Sequence, residues 1–211
     1  PSGDVWVAGS SQGLNTGSDL VTLRFASDGT LRDASRFNGS ANDDDQPLGL
    51  AGDQYGNVYV AGTITSTVGG RDLVVMKYNQ YAVWQWDRIW DGPTHMDEEI
   101  SGMVVDNTGT VYLTGSTLRA DYRSDAVTVR YDAAGNLIWS AIYDGPSGGS
   151  DYGRSVVLGK SARPVVAVQS AQTSQDVLPA DLVVIRYLNN LLREDFEQGD
   201  LSRWSWVFGT P

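Results

Sequence analysis

The sequence of 211 residues predicts an all-β protein, and three observations carry that prediction. Strand-like segments recur with a period of 53 residues, as the glycines that open the first segment show at positions 3, 56 and 109. The turns between segments share the spacing Asp-x-x-Gly, which is typical of antiparallel connections. No stretch of ten residues combines helical periodicity with capping residues.

The first element of the repeat is a short apolar segment between glycines. Gly-Asn-Val-Tyr-Val-Ala-Gly-Thr at 56–63 has counterparts at 3–10 and 109–116, and a degraded copy lies at 163–170. Residues 58–61 are apolar at every position, as expected of a strand that is covered on both faces. Each copy is therefore predicted to be a buried strand.

The second element opens with aspartate and carries a basic residue near its end. Asp-Leu-Val-Val-Met-Lys-Tyr at 72–78 recurs in modified form at 19–25, 125–131 and 181–187. We expect the opening aspartate to tie a turn and the basic residue to pair with acidic residues of a neighbouring loop. These residues are Asp19, Asp72, Asp125 and Asp181, and Arg24, Lys77, Arg130 and Arg186.

The third element carries large aromatic residues at alternate positions, and the fourth follows an acidic loop. Trp84, Trp86 and Trp90 are spaced so that they lie on one face of a strand. Because aliphatic residues replace aromatic ones in other copies, Trp86 and Trp139 are predicted to be core residues rather than a sugar-stacking surface. Copies of the third element lie at 31–39, 84–92 and 137–145, and copies of the fourth at 44–53, 97–106 and about 150–159.

The Asp-x-x-Gly turns occur at 53–56, 106–109 and 132–135. Aspartate at the first position accepts backbone hydrogen bonds, and glycine at the fourth adopts positive φ. This combination is typical of a type I turn followed by a bulge between antiparallel strands. Consecutive elements are therefore predicted to pair with each other.

Four antiparallel strands in a repeat of about 50 residues are typical of a β-propeller blade. We therefore predict an all-β β-propeller of four-stranded antiparallel blades, with about three and a half repeats present. The predicted repeats are 3–55, 56–108, 109–161 and a partial repeat at 162–187. Residues 188–211 depart from the pattern and are predicted to form a tail that packs on or follows the last blade.

Several of these segments also resemble a known family. The sequences at 56–63 and 72–78, together with Tyr-Asp-Gly-Pro at 143–146, resemble the bacterial β-propeller repeat called SBBP. The resemblance covers about residues 3–187. It implies a β-propeller, usually in exported or surface proteins, and it carries no defined set of catalytic residues.

Composition excludes several classes of function. Fifteen basic and 26 acidic residues give a net charge of −11, which argues against binding to nucleic acid or to an anionic membrane surface. The absence of cysteine excludes disulfides and thiolate metal sites, and a single histidine, His95, excludes zinc centres with several histidines. No apolar run reaches the roughly 18 residues of a membrane-spanning helix, so we expect no membrane insertion.

Acidic residues cluster before and at the start of the fourth element in three repeats. Carboxylates are hard oxygen ligands that suit Ca²⁺, so a calcium site is one interpretation, and no other cofactor is indicated. Turn capping and ion pairing within the fold are the structural interpretation, which we favour. The candidate ligands are Asp43, Asp44, Asp45, Asp97, Glu98, Glu99 and Asp151.

No catalytic constellation emerges from the sequence. Residues 9–13 fit the pattern G-x-S-x-G, but a nucleophile elbow needs a strand–turn–helix context and a histidine–acid pair. We therefore favour a non-enzymatic scaffold or interaction module, extracellular, periplasmic or on the surface of a bacterium. The alternative is a polysaccharide-processing propeller enzyme that uses carboxylates of the acidic loops, since glycoside hydrolysis needs only two carboxylates.

The number of predicted strands has a consequence for partners. The repeat pattern opens at a first element and stops after a second element, and an incomplete ring of blades would leave apolar faces uncovered. We therefore expect the chain to belong to a longer propeller or a larger assembly. The expected partner is another protein or further blades, and carbohydrate is left open as a ligand.

Overall fold

The computed structural model describes residues 3–171 and 180–187. This part of the chain forms 14 strands in four antiparallel sheets, and its helical content is one short 3₁₀ turn at Lys160–Ala162. The all-β prediction is therefore confirmed. No helix among these residues is long and apolar enough to cross a membrane. The predicted tail at 188–211 lies outside the described residues.

Each sheet is a meander in which strands adjacent in sequence are hydrogen-bonded neighbours. The first sheet contains β1 (Val5–Gln12), β2 (Ser18–Phe25) and β3 (Leu31–Phe37). The second contains β4 (Gln46–Gly52), β5 (Val58–Ser66), β6 (Gly70–Tyr78) and β7 (Trp84–Trp90). The third contains β8 (Glu98–Val105), β9 (Val111–Leu118), β10 (Ser124–Tyr131) and β11 (Leu137–Tyr143). The fourth contains β12 (Asp151–Leu158), β13 (Pro164–Ala171) and β14 (Ala180–Arg186).

The sheets are offset from the sequence repeats by one strand. A four-stranded sheet opens with the fourth element of one repeat, such as β4, and continues with the first three elements of the next repeat, β5 to β7. The connection between the third and fourth elements therefore joins two sheets. This offset places the acidic loops at the points where the chain leaves one sheet and enters the next.

The chain divides into two compact units. Of the described residues, the first unit contains 3–100 and 107–109, and the second contains 101–106, 110–171 and 180–187. In the first unit, buried residues of β5 and β6 such as Val60, Val74 and Met76 form the core, against which Trp6 and Phe37 pack. In the second unit, residues of β9 to β11 pack against residues of β13 and β14. The predicted burial of residues 58–61 is confirmed.

The Asp-x-x-Gly turns have the predicted chemistry. Asp53 Oδ1 accepts hydrogen bonds from the backbone N–H groups of Tyr55 and Asn57, at 2.9 and 3.0 Å. Gly56 has a φ of 80°, which glycine adopts without the steric cost that a side chain brings. The same arrangement recurs at 132–135. Local side-chain chemistry thus fixes where these strands end.

Candidate functional site

Carboxylates from three chain segments meet at one end of the second sheet. Asp72 lies near the start of β6, Asp91 follows the end of β7, and Glu98 opens β8. One carboxylate oxygen of each residue lies within 4.8 Å of the other two. Antiparallel pairing of Leu73 with Trp90 brings the first two together. Asp72 and Glu98 are 2% and 1% exposed, so this cluster is largely withdrawn from solvent.

The second unit contains an equivalent cluster. Asp125, Asp144 and Asp151 stand 53 residues after the members of the first cluster, and their oxygens also lie within 4.8 Å of one another. In the first repeat, Asp19 and Asp45 stand at the positions equivalent to Asp72 and Glu98. The position equivalent to Asp91 is occupied by an asparagine, Asn38. The repeat therefore supplies the same arrangement of polar groups three times.

The fourth-element carboxylate has a common role in all three repeats, since it accepts a hydrogen bond from the backbone N–H of a glycine six residues earlier. The distances are 2.7 Å for Gly39 N to Asp45 Oδ2, 3.0 Å for Gly92 N to Glu98 Oε2, and 2.6 Å for Gly145 N to Asp151 Oδ2. Bonds from a backbone N–H to a charged carboxylate are stronger than neutral ones. This contact closes the loop that joins one sheet to the next.

Glycine is needed in this loop because several oxygen atoms, the carboxylate among them, approach it closely. A Cβ atom at Gly39 would overlap the carbonyl oxygen of Thr65 and lie 2.8 Å from Asp45 Oδ1. One at Gly145 would overlap Ser170 Oγ and lie 2.8 Å from Asp151 Oδ1. Both distances are below ordinary van der Waals contact. The Gly-x₅-Asp/Glu spacing is therefore a structural signature of the loop.

The clusters differ in how their charge is neutralised. Arg36 Nη1 lies 2.7 Å from Asp19 Oδ2 in the first repeat. In the second unit, Arg119 Nη1 lies 3.3 Å from Asp125 Oδ1 and 2.9 Å from Asp144 Oδ2. Each of these clusters therefore contains a guanidinium group.

In the cluster of the second sheet, Asp72 has a hydroxyl partner instead. Ser66, which stands 53 residues before Arg119, donates a hydrogen bond from Oγ to Asp72 Oδ2. The imidazole of His95 contacts Asp91, with 2.6 Å between Nδ1 and Oδ2. His95, which is the only histidine of the sequence, is exposed but paired.

Burial and charge shift the pKa values of these groups. Burial raises the pKa of the Asp72 carboxyl, and the nearby charges of Asp91 and Asp97 raise it further. Burial and the charge of Asp144 raise the pKa of Asp125 to about 6, although Arg119 opposes the shift. The hydrogen bond with Asp91 and its charge raise the pKa of His95.

The seven residues predicted as candidate metal ligands separate into two groups. Asp45, Glu98 and Asp151 are buried and hold the loop glycines, and the last two belong to three-carboxylate clusters. The others are exposed. Asp44 Oδ1 accepts from Ser18 N–H at 2.8 Å and Asp97 Oδ1 from Arg71 N–H at 3.0 Å, while Asp43 Oδ1 accepts from the N–H of Asp44. These four exposed residues, which belong to neither three-carboxylate cluster, are Asp43, Asp44, Asp97 and Glu99.

Sequence reasoning assigned Asp72 and Asp125 to turns and did not single out Asp91 and Asp144. Asp91 and Asp144 could have been predicted from the sequence repeat together with the one-strand offset between the repeats and the sheets. The aspartate that opens the second element pairs across the sheet with the end of the third element, and the chain then turns directly into the fourth. All three positions therefore converge at one loop.

The expectation that second-element basic residues pair with the acidic loops needs correction. Arg24 contacts Asp33, with 2.7 Å between Nε and Oδ2. Lys77 Nζ lies 5.2 Å from the ring centroid of Tyr59, and the guanidinium of Arg130 lies 5.6 Å from that of Tyr112. These residues stand near the end of their strands that is remote from the acidic loop, where cation–π contact is available.

Exposed aromatic side chains of the first unit lie at the end of the second sheet opposite the carboxylates. Tyr55 belongs to the β4–β5 turn and Tyr81 to the β6–β7 turn, and Trp84 opens β7. Strand β6 runs from Asp72 at one end to Tyr78 at the other, a span of roughly 20 Å at the usual rise per residue. The exposed aromatics and the buried carboxylates thus do not share a surface.

The G-x-S-x-G pattern does not form a nucleophile elbow. Residues 9–12 are part of β1, in which Ser10 and Ser11 pair across the sheet with Leu20 and Asp19. The hydroxyl oxygen of Ser11 accepts a hydrogen bond from Arg36 Nη2 at 3.0 Å. A regular strand replaces the strained strand–turn–helix geometry that the motif requires.

Comparisons with known proteins give a distant structural neighbour. No protein-family model and no curated protein matches the chain, so the SBBP resemblance stays a prediction. Among solved structures, the chain is similar to a subtype N11 neuraminidase-like protein of a flat-faced bat isolate from Peru (H18N11), with a TM-score of 0.43 and 11% sequence identity. The similarity covers 86% of this chain and 56% of that chain, so this chain spans about half the length of its neighbour.

The raised pKa of Asp125 predicts how stability depends on pH. Since the folded protein binds this proton more tightly than the unfolded chain, the contribution of Asp125 to stability is greatest below pH 4 and declines as pH rises through about 6. Asp125→Asn removes the titration. We compare the free energy of unfolding of the variant with that of wild type at each pH. This difference is expected to shift in favour of the variant by about 1–3 kcal/mol between pH 4.5 and pH 7.5, after allowance for solvent screening.

Urea denaturation at the two pH values checks this expectation. Asp43→Asn is the control, since Asp43 is an exposed carboxylate outside the cluster. A difference between Asp125→Asn and wild type that stays constant from pH 4.5 to 7.5 would contradict the assignment.

Proposed function

We propose that the chain is a non-enzymatic β-propeller module that serves as a scaffold or interaction surface outside a bacterial cell. The 53-residue repeat and the sequential antiparallel sheets support the propeller. The SBBP resemblance supports an exported location, and the net charge of −11 is compatible with solubility there. The non-enzymatic role rests on the placement of the carboxylates.

The observation that supports this proposal most strongly is that the repeated carboxylates are buried and form hydrogen bonds that hold the fold together. Asp45, Glu98 and Asp151 each accept a backbone hydrogen bond that closes a loop between sheets. Their distribution is one per repeat. A catalytic pair would instead converge in a cleft that substrate can enter.

The polysaccharide-processing alternative has weaker support. Glycoside hydrolysis requires an acid and a nucleophile or base on either side of the scissile bond, both within reach of the sugar. Asp72 and Glu98 are close enough to each other to act together, but both side chains are buried. Within the second sheet, the exposed aromatic residues Tyr81 and Trp84 lie at the end opposite these two carboxylates.

Two strands offer surface for the proposed interaction. In β1, Val5 and Val7 are exposed, and in β14, Leu182 and Val184 are exposed. Apolar residues at alternate positions of a strand lie on the same face of the sheet. Such faces suit contact with another protein or with further blades, which is the kind of partner we propose.

Two measurements, one of stability and one of activity on polysaccharides, separate the scaffold from the enzyme. Asp45→Ala deprives the N–H groups of Gly39 and Thr65 of their acceptor, and we expect the free energy of unfolding to fall by about 1–3 kcal/mol. Wild-type protein incubated with a panel of soluble polysaccharides is expected to release no reducing ends above the buffer level. Release of reducing ends that Glu98→Gln or Asp151→Asn abolishes, in variants that remain folded by circular dichroism, would contradict the proposal.

A further inference from the structure

We propose that Asp72, Asp91 and Glu98 form a calcium-binding site at the carboxylate end of the second sheet. The oxygens that these residues offer lie within 4.8 Å of one another. Ca²⁺ binds oxygen at about 2.3–2.6 Å, so two ligands on opposite sides of one ion stand about 5 Å apart. The cluster therefore has the dimensions of a single ion with its ligands.

Unsatisfied acceptors within the cluster point independently to a ligand. Asp72 is 2% exposed, and its Oδ1 atom is buried and accepts no hydrogen bond from the described residues. Asp91 Oδ1 is in the same condition. A buried carboxylate oxygen without a partner is costly, and a cation would supply the missing interaction for both atoms at once.

The internal repeat provides a comparison at equivalent positions. In the second unit, Arg119 contacts both Asp125 and Asp144 and so supplies positive charge to that cluster. Ser66 stands at the position equivalent to Arg119 and provides only a hydroxyl group. A cation in the second sheet would take the electrostatic role that the guanidinium has in the second unit.

The surrounding groups favour a hard divalent cation. The ligands are carboxylate oxygens, and the sequence has no cysteine that would select a softer metal. His95 contacts Oδ2 of Asp91, and Oδ1 of the same carboxylate has no hydrogen-bond partner among the described residues. Glu98 holds the loop through Oε2, so ion binding would also fix the connection between β7 and β8.

The site is distinct from the acidic loop that the sequence suggested. Of the residues proposed here, only Glu98 was a candidate from sequence, while Asp72 and Asp91 enter through the structure. The inference does not depend on whether the module is a scaffold or an enzyme. A negative polysaccharide assay leaves it unaffected, and failure of metal binding leaves the scaffold proposal unaffected.

The test uses chelator-treated protein titrated with CaCl₂ in a calorimeter, and with TbCl₃ while terbium emission is recorded under tryptophan excitation. Trp90 precedes Asp91 directly and can sensitise a bound terbium ion. We expect one binding event, with a dissociation constant at or below about 1 mM as in extracellular calcium modules. We also expect calcium to raise the melting temperature, because ligand binding to the folded state stabilises it.

Three variants decide whether binding occurs at this cluster. Asp72→Asn keeps the shape and removes a charge, and should weaken binding at least tenfold. Ser66→Arg introduces the arginine of the next repeat and should abolish binding even if Asp72→Asn proves unstable. Asp125→Asn, the matched change in the arginine-containing cluster, should leave affinity within twofold of wild type.

Two results would overturn the proposal. The first is that wild-type protein shows no terbium emission with TbCl₃, and no heat of binding or shift in melting temperature with calcium at about 10 mM, a concentration well above the dissociation constants of such sites. The other is binding that Asp72→Asn and Ser66→Arg, confirmed as folded, leave unchanged.

Discussion

Trp139→Ala is expected to lower the free energy of unfolding by about 3–5 kcal/mol, the usual cost of truncating a large core side chain. Trp139 is 8% exposed and belongs to the core of the second unit. Its ring centroid lies 5.2 Å from that of Tyr187 in the segment after β14, and 6.4 Å from that of Tyr112 in β9. Truncation would leave a cavity beside these two tyrosine rings.

Urea denaturation of wild type and two variants measures this effect. Trp84→Ala is the matched control, because Trp84 lies in the same third element of the preceding repeat but is 55% exposed. We expect that substitution to change stability by less than about 1 kcal/mol. Equal losses for the two variants would show that Trp139 does not have the core role described above, and would favour a ligand-stacking role for the aromatic stripe.

Gly62→Ala is expected to destabilise the protein by about 1–3 kcal/mol or more, because added atoms in a packed site force the backbone to shift. A Cβ atom on Gly62 would overlap the carbonyl oxygen of Gln46 in β4 and lie 3.1 Å from the Cα of Pro47. Both contacts are with backbone, which cannot move aside as a flexible side chain can. The strand pairing of β4 with β5 would therefore be strained.

The repeat again supplies the control. Gly9 stands 53 residues before Gly62, but a Cβ atom there meets no atom within 4 Å. Gly9→Ala should therefore leave stability unchanged or raise it by up to about 1 kcal/mol, since alanine loses less backbone entropy than glycine in a strand. Thermal and urea unfolding of both variants test this difference, and similar effects at the two positions would show that β4 does not pack as described.

The strands could be predicted from sequence because their signals are local. Alternating aromatic residues in β7, the apolar run of β5 and the Asp-x-x-Gly turns each depend on a few neighbouring residues. The same local reasoning predicted the burial of Trp86 and Trp139, which the structure confirms. Period and turn chemistry were sufficient for these features.

The carboxylate clusters could not be predicted in the same way, because they depend on which strand ends meet. Asp72 and Asp91 are 19 residues apart, and their contact requires the antiparallel register of β6 with β7. Glu98 joins them because the fourth element opens the next sheet rather than closing its own repeat. The arginine that enters a cluster also differs between repeats. Arg119 and Ser66 stand at equivalent positions, whereas the arginine that pairs with Asp19 comes from another position, Arg36.

The central claim is that these carboxylates stabilise the fold and bind one cation, and do not act on a substrate. It is tested most directly by an anomalous difference map from crystals of the protein soaked in TbCl₃. We expect one strong peak at about 2.3–2.6 Å from oxygens of Asp72, Asp91 and Glu98, the usual range for oxygen ligands of such ions. We expect no comparable peak at Asp125, and Asp45 and Asp151 should still accept their glycine N–H bonds. Absence of a peak at the first cluster, or equal peaks at both clusters, would contradict the account.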